Sequence, residues 1–508
     1  MAGVTWLASV TDSSPANGVA PDVSTFLLRL SRTVRDNLAP RAGPGFLEDQ
    51  LYSLSSILKI LGTVAATIDD ENEADVLDLQ SVLTEISAPD TAGRDPVHPR
   101  AALAQRIRKE SLLSDPDARV SRVVRGYLER DLARPYVGLL GPSPAAPPSL
   151  SSLAASEFTG QEDAARGRLL TVLAERLPRP GSANPADVEF EAEAAGGYAA
   201  ETRQVRVGSG SRSQRYVVRL QWPHNLMSKL ARTVDIQAAA ISVVASAGMA
   251  VPGVVLVEPD ADVVGTPFIV SEFVPGYVPT PWTADGRAFT DRLRPGKQEF
   301  VAELVLMHSI GWQDHRLAPL VEGAEGSTPL EHQRNRLTHL DELYHEVALR
   351  PDPVVEEVLA YLRDELPSPD DLVIVHGDYR PGNIIYDPET LHRRAVIDWD
   401  GVHLGNYHED IGQILAWPFR DASGLACGLF EDTELLELYE QLSGRALRRS
   451  DTHYYQVAAT FRRYIGFCVL ARSWLDGGGD VRMARAWLAL RNDRVELAKL
   501  LGIAVPRG

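Results

Sequence analysis

Apolar residues recur at intervals of three and four through the first quarter of the chain. Phe26, Leu27, Leu30, Val34 and Leu38 form one stripe, Leu47, Leu51, Leu54, Ile57, Leu58, Leu61 and Val64 a second, and Val76, Leu79, Val82, Leu83 and Ile86 a third. This is the period of amphipathic helices. Further helices are expected over residues 99–113 and 117–132, so residues 1–140 read as an N-terminal helical domain. Residues 141–160 form a Pro/Ser/Ala-rich linker, opening GPSPAAPPSLSSLAAS without periodicity or charge. A helix over 161–177 leads into a different pattern. Val188, Phe190 and Ala192 alternate with acidic residues, Val205 and Val207 return, and Tyr216, Val217, Val218 and Leu220 follow, with turns at Gly196-Gly197 and Gly208-Ser209-Gly210-Ser211. Period two between glycine turns predicts three antiparallel strands. Two more are expected over 254–257 and 267–274. From residue 297 the pattern is helical again, over 297–310, 330–347, 354–366, 411–417, 435–442, 453–475 and 481–501. It is interrupted by the apolar runs 372–375 and 396–397, too short for helices and read as strands. The prediction is an α+β chain with a small β-rich unit at 161–276 and a larger helical unit at 277–508.

Composition narrows the class. With 508 residues, 44% hydrophobic and 24% charged, the chain has the make-up of a soluble globular protein of two or three domains. A net charge of −18 argues against a nucleic-acid partner, which needs a basic face. No apolar run approaches the roughly 20 residues that span a bilayer, and the first residues lack a basic segment followed by an apolar one. No membrane association and a cytoplasmic location are the expectation. The acidic residues Asp69, Asp70, Glu71 and Glu73 lack calcium-loop spacing and read as a solvated run. Cys427 and Cys468 are read as reduced core residues.

Candidate chemistry concentrates at residues 372–400, LVIVHGDYRPGNIIYDPETLHRRAVIDWD. Two short strands would bring Asp378, Asn383 and Asp398 around one point. Phosphoryl transfer from a nucleotide needs such a set: one carboxylate to hold the attacking hydroxyl, and hard oxygen ligands for magnesium. Asp378 suits the first role, Asn383 and Asp398 the second.

The motifs H-G-D-Y-R-P-G-N at 376–383 and I-D-W-D at 397–400 resemble the aminoglycoside phosphotransferase family, most of all its branch associated with acyl-CoA dehydrogenases. That resemblance implies a protein-kinase-like two-lobed fold, with a β-rich nucleotide lobe and a larger helical lobe, preceded here by the N-terminal helical bundle. It implies ATP and Mg2+ as cofactors, Asp378 as catalytic base, and Asn383 and Asp398 as metal ligands. Gly196 and Gly197 would fold over the nucleotide phosphates, Arg219 would take the place of the phosphate-contacting Lys on the third strand, and Glu272, Phe273 and Val274 would form the hinge facing adenine. Asp410, in L-G-N-Y-H-E-D-I, would stabilise the catalytic loop.

The sequence departs from the family at several points. Gln237 stands where the following helix usually carries a Glu. It would accept a hydrogen bond from Arg219 without charge, so a Glu at 237 is expected to tighten that grip. Ala199 and Ala200 replace Ser and Asn in the glycine loop. Arg380 within the catalytic loop, with Arg462, Arg463, Tyr464, Trp417 and Trp474 on later helices, leans toward an anionic or large apolar hydroxyl substrate. The expectation is therefore a small-molecule kinase whose acceptor is a hydroxyacyl-CoA-like or other metabolite in preference to an aminoglycoside. The alternative is a weak or inactive nucleotide-binding regulator whose N-terminal bundle recruits a protein partner.

Overall fold

The structure is a computed structural model. It describes residues 77–83, 99–110, 119–133, 158–177, 188–193, 200–208, 213–221, 229–281, 283–320, 328–348, 351–369, 371–475 and 486–504. The apolar stripes expected at 26–64, the acidic run at 69–73 and residues 141–157 of the linker lie outside these.

The chain builds the two-lobed α+β kinase-like architecture. In the smaller lobe, β1 (Val188–Glu193), β2 (Ala200–Val207), β3 (Gln214–Gln221), β4 (Val254–Glu258) and β5 (Phe268–Glu272) form one antiparallel sheet in the order β1-β2-β3-β5-β4. Alternation decides its two faces. Tyr216, Val218 and Leu220 of β3 pack with Val205, Val207, Phe268 and Val270 against Leu169, Leu173 and Leu177 at the end of the preceding helix. Each such leucine, fully buried, contributes about 1.5–3 kcal/mol. Arg219, between Val218 and Leu220, must therefore point to the opposite face. Its cross-strand partner there is Ile269, which packs with the helix Val234–Ser246 and the larger lobe.

The helices used below are numbered in chain order: α1 (Pro99–Glu110), α2 (Arg119–Ala133), α3 (Phe158–Arg176), α4 (Val234–Ser246), α5 (Ala284–Leu293), α6 (Lys297–His308), α7 (Pro329–Val347), α8 (Pro353–Asp364), α9 (His408–Leu415), α10 (Asp432–Ser443), α11 (Arg449–Leu475) and α12 (Ala486–Leu500). Their starts follow from local chemistry. Thr328 and Glu331 form a capping box ahead of α7, with Pro329 in its first turn, and Asp352 caps α8 ahead of Pro353. The larger lobe has two apolar centres. One gathers α4, α5, α6, α9 and α10 around the short strands of the catalytic region. The other packs Leu343, Val355, Val358, Phe461, Ile465 and Leu497 of α7, α8, α11 and α12. His308 is a packing histidine: it is buried, 2.8 Å from the Tyr439 hydroxyl and 3.2 Å from Asp410 Oδ2. Cys427 and Cys468 are free and buried. Among the described residues no helix is long and apolar enough to cross a membrane.

The described N-terminal helices share their buried face with the larger lobe. Leu79, Leu103, Ile107, Val124, Leu128 and Leu132 pack on Val354, Ala498 and Ile503. At this seam the buried Arg494 donates from Nε to Asp352 Oδ2 at 2.6 Å and pairs through Nη2 with Asp131 of α2. One guanidinium thus neutralises two carboxylates that have little contact with water. Arg494→Leu should remove the cation that both carboxylates share and lower stability by about 3–5 kcal/mol, read as a lower urea midpoint at neutral pH. An unchanged midpoint would mean that Asp131 and Asp352 are satisfied elsewhere.

Candidate active site

Two short strand pairs fix the residues singled out from the sequence. β6 (Val373–Val375) pairs with β9 (His403–Gly405), and β7 (Ile384–Tyr386) with β8 (Arg393–Val396). The turn His376–Asn383 leaves β6 and enters β7, while residues 397–402 leave β8 and enter β9, so the two loops lie side by side. The Ile397 N–H donates to the Asn383 carbonyl at 2.9 Å, placing Asn383 next to the residue that precedes Asp398. His376 joins the loops from below. Its Nδ1 accepts from the Asp378 N–H at 3.3 Å and its Nε2 lies 3.1 Å from the Ile397 carbonyl, which requires the proton on Nε2. Asp410, at the start of α9, accepts from the N–H groups of His376 and Gly377, both at 2.9 Å. It thus stabilises the loop as the family resemblance implied. Burial works against its charge, but the contacts with His308, His376 and the backbone outweigh it and hold its pKa below the ordinary carboxylate value.

The sharp turn between His376 and Asp378 needs glycine. Gly377 has φ +79°, and a Cβ there would stand 2.7 Å from both Arg462 Nη1 and the Gly401 carbonyl oxygen. Asp378 is held by three side chains. Arg380 Nε donates to both carboxylate oxygens at 3.2 and 3.1 Å, Asn383 Nδ2 to Oδ2 at 2.7 Å, and Gln413 Nε2 to Oδ1 at 3.2 Å. Asn383 Nδ2 also donates to the Asp378 carbonyl at 2.8 Å. Both amide hydrogens of Asn383 are thereby engaged, leaving its oxygen as the atom able to meet a cation.

Asp398 is a non-glycine residue in the left-handed region, φ 68° and ψ 60°. Aspartate tolerates that conformation better than most residues, and such a kink is uncommon enough to mark a constrained site. It turns the chain so that Asp398 and Asp400 both reach Arg219 of the small lobe, whose Nη2 donates to Asp398 Oδ1 at 2.9 Å and to Asp400 Oδ2 at 2.7 Å. Burial disfavours the Arg219 charge, but Asp400 and Asp398 outweigh it and hold the guanidinium firmly protonated. The two carboxylates part in opposite directions. Desolvation would raise Asp398, but Arg219 lowers it below the ordinary value. Asp400 is raised, chiefly by burial, with Arg219 opposing and Asp398 reinforcing the shift. The Asp398 side chain keeps 37% of its exposure, so it still faces the cleft. A carboxylate and an amide oxygen on adjacent strand ends are hard oxygen donors, suited to a magnesium ion that takes its remaining ligands from water and phosphate.

Other singled-out residues fall differently. Arg219 does not bond Gln237; it is already shared between the two carboxylates. Gln237 donates from Nε2 to the Arg232 carbonyl at 2.8 Å and also hydrogen-bonds Asp400. Gly196, Gly197 and Ala199 lie outside the described residues. Glu272 ends β5, its N–H on the Gly253 carbonyl at 2.8 Å. The Phe273 N–H reaches the Arg215 carbonyl at 3.3 Å, and the Arg215 guanidinium sits 3.8 Å from the Phe273 ring centre. Val274 follows as the chain crosses between the lobes, where the Tyr277 N–H meets the Tyr386 carbonyl at 2.8 Å. Of the helical residues associated with an anionic acceptor, Arg463 is spent on Asp493, Tyr464 is core, and the Trp474 side chain lies outside the described residues. Gln413 carried no recognisable signal, and Asp400, though it closes the I-D-W-D motif, takes no role from the sequence; nothing in its spacing announces contact with Arg219.

Residues 192–451, half of the chain, match the model of the phosphotransferase enzyme family (APH), and the chain belongs to that family. It is 25% identical over 204 residues to acyl-CoA dehydrogenase family member 10 of Mus musculus, covering 39% of this chain and 18% of that protein. It is 30% identical over 167 residues to the aminoglycoside 3'-phosphotransferase of Streptomyces ribosidificus, covering 32% of this chain and 57% of that protein. The chain thus spans less than two thirds of either relative. Among solved structures, a thermostable mutant of aminoglycoside phosphotransferase APH(4)-Ia in ternary complex with ADP and hygromycin B aligns at 16% identity and TM-score 0.42, over 65% of this chain and 98% of that one.

The structure reverses the expectation for position 237. A glutamate there adds a third carboxylate beside Asp400, whose pKa burial already raises. A carboxyl raised in the folded state costs nothing while protonated in both states and loses stability as pH climbs from its unfolded to its folded pKa. The melting-temperature gap between the protein and its Gln237→Glu variant should therefore widen from about pH 5 to about pH 8. A gap equal at both would separate residue 237 from the carboxylate pair.

Proposed function

We propose that this protein is an ATP- and Mg2+-dependent O-phosphotransferase that phosphorylates a hydroxyl of a small molecule. The observation that carries the reading is the convergence of Asp378, Asn383 and Asp398 beneath a small lobe that reaches down to them through Arg219. Asp378 is an oxygen acceptor whose position is set by Arg380, Asn383 and Gln413. A substrate hydroxyl replacing one of those donors would be oriented in line with the γ-phosphoryl group and would pass its proton to the carboxylate as its oxygen bonds the γ-phosphorus and the bond from that phosphorus to the ADP oxygen breaks. Asn383 and Asp398 would hold the metal, whose chemistry is to neutralise the charge between the β- and γ-phosphates. Asp398 would then gain a second partner, and Arg219 would be free to grip phosphate oxygens in two places. Glu272, Phe273 and Val274 would supply the hinge for adenine, and Gly196 and Gly197 the loop over the phosphates.

The acceptor we favour is a hydroxyacyl-CoA-like or other anionic metabolite above an aminoglycoside. The likeness to acyl-CoA dehydrogenase family members supports this ranking. So does the charge on the acceptor side of Asp378, where Arg462 Nη1 reaches the Gly377 carbonyl at 3.2 Å. A polycationic acceptor would meet arginine there. The reading as a regulator without turnover rests on Gln237 standing in for the usual Glu, and the same experiment decides it.

Asp378→Asn keeps the shape and the hydrogen bond to the substrate but cannot take the proton. Transfer of the ATP γ-phosphate to a panel of small alcohols should fall roughly 10²–10⁴-fold with nucleotide affinity retained. Binding of nucleotide by the unaltered protein with no consumption across the panel would sink the kinase reading in favour of the regulator.

A further inference from the structure

Beside the catalytic loop lies a group of arginines of which the reading above uses Arg462 alone, as a positive charge near Asp378. Arg232 comes from the small lobe just ahead of α4, Arg336 from α7 and Arg462 from α11, so nothing local in the sequence associates them. All three meet the stretch that leaves Asp400. Arg232 Nε donates to the Val402 carbonyl at 3.2 Å and Arg336 Nη1 to the Leu404 carbonyl at 3.4 Å. Arg462 Nη2 would stand 2.8 Å from a Cβ on Gly401. Residues 402 and 404 are two apart, so their carbonyls leave the same edge of the strand about 7 Å apart. The first two guanidiniums are thus fastened side by side along that edge, and Arg462 closes the group on the Asp378 side.

Their charge is poorly compensated. Glu409 is the carboxylate bonded to the group, and it is engaged by Arg336 at 3.0 Å, His403 at 2.9 Å and Gln333 at 2.9 Å; Asp378 and Asp410 act on Arg462 through space without bonding it. Arg232 and Arg462 bond only backbone carbonyls, and neither forms an ion pair with any carboxylate of the described residues. The buried His403 adds no charge to the group, since it is held neutral. Its pKa falls to about 4, chiefly through burial, with Arg336 adding to the effect. Arg232 is also depressed, to about 10, first by burial and then by Arg336 and Arg462. A guanidinium destabilised in this way regains free energy when an anion arrives. Its planar fork, with several donors beyond the one given to the backbone, matches the oxygens of a phosphate.

We propose that Arg232, Arg336 and Arg462 form a binding subsite for a phosphate dianion next to the catalytic loop, a site separate from the one that holds the nucleotide phosphates against Arg219. Arg232 and Arg462, bonded to backbone carbonyls alone, keep donors for the ligand's oxygens, and the depth of the cluster shields the contact from salt. The phosphate belongs either to the acceptor or to free phosphate acting on the lobes. The first source rests on the reading of the protein as a kinase; the second does not. Because Arg232 belongs to one lobe and Arg336 and Arg462 to the other, an anion held between them also ties the lobes together.

The first measurement needs no turnover. Thermal unfolding of the full chain is followed while sodium phosphate replaces sodium chloride at constant ionic strength. Phosphate should raise the midpoint saturably. Arg232→Gln and Arg336→Gln should each weaken that binding roughly tenfold or more, whereas Arg336→Lys should retain part of it and Arg334→Gln, at an exposed position of the same helix, should change nothing. A midpoint that rises no more in phosphate than in chloride, or a shift that survives in both Gln variants, overturns the proposal. The second measurement compares two alcohol acceptors that differ only by a phosphate group. If Arg232→Gln raises KM for the phosphorylated one alone and leaves kcat in place, the phosphate is the acceptor's. If the midpoint shift is lost in the variant but both KM values stay as they were, the ligand is free phosphate. Absence of any transfer, with the midpoint shift intact, would count against the kinase reading and leave the subsite standing.

Discussion

One arginine holds the two lobes in register. Arg219 leaves the central part of the small sheet on the face away from α3 and reaches Asp398 and Asp400 of the larger lobe. Neither partner would be in place without the left-handed backbone at Asp398, which folds the end of β8 back on itself. Like charges two residues apart on one turn repel, and a single guanidinium between them makes the turn tolerable. That sharing also keeps Asp398 anionic at the mouth of the cleft, where a metal-bound nucleotide would need it. The bridge is therefore a structural clasp between the lobes and, on the function proposed above, a charge that a bound phosphate would draw on.

Around that clasp the polar groups form layers. Asp410 lies deepest, accepting the two N–H groups that lead into the catalytic loop and fixed in turn by His308 and, through it, Tyr439. His376 sits above it and couples the loop to the strand carrying Asp398. Asp378 is outermost and receives its donors from the cleft. Each layer is tied by groups whose burial would be costly without a partner. This explains why so small a turn can be held by strands of three or four residues. The N-terminal helices join this construction from the far side of the larger lobe, where their apolar residues complete a core with α8 and α12. Whatever else that domain does, its described inner face is spent on its own chain.

The lobes and the site differed in how far they could be read from residues alone. The helical stripes and alternating strands were legible because burial imposes a period on each element separately. The closeness of the loops carrying Asp378, Asn383 and Asp398 was legible because these residues fall within one short stretch whose turns bring the loops together with little help from the rest of the chain. Gln237 was misread for the complementary reason. Its position in the helix was correct, but its partner depends on what the other lobe presents, and two carboxylates had already claimed Arg219.

The sequence by itself determined the α+β division, the face of β3 from which Arg219 projects, and the short loops that carry the acidic and amide groups of the cleft. These follow from periodicity and from turn chemistry, which act over a few residues. Only the tertiary structure decided the company those groups keep: Asp400 beside Asp398, Gln413 on Asp378, Arg494 between Asp131 and Asp352, and Arg232 with Arg336 and Arg462. Apart from Asp398 and Asp400, which meet through their shared partner Arg219, these residues stand 35 or more positions apart, and such contacts are fixed by how whole elements pack. No local rule relates such residues, so charge compensation and charge surplus alike appear only once the lobes are assembled.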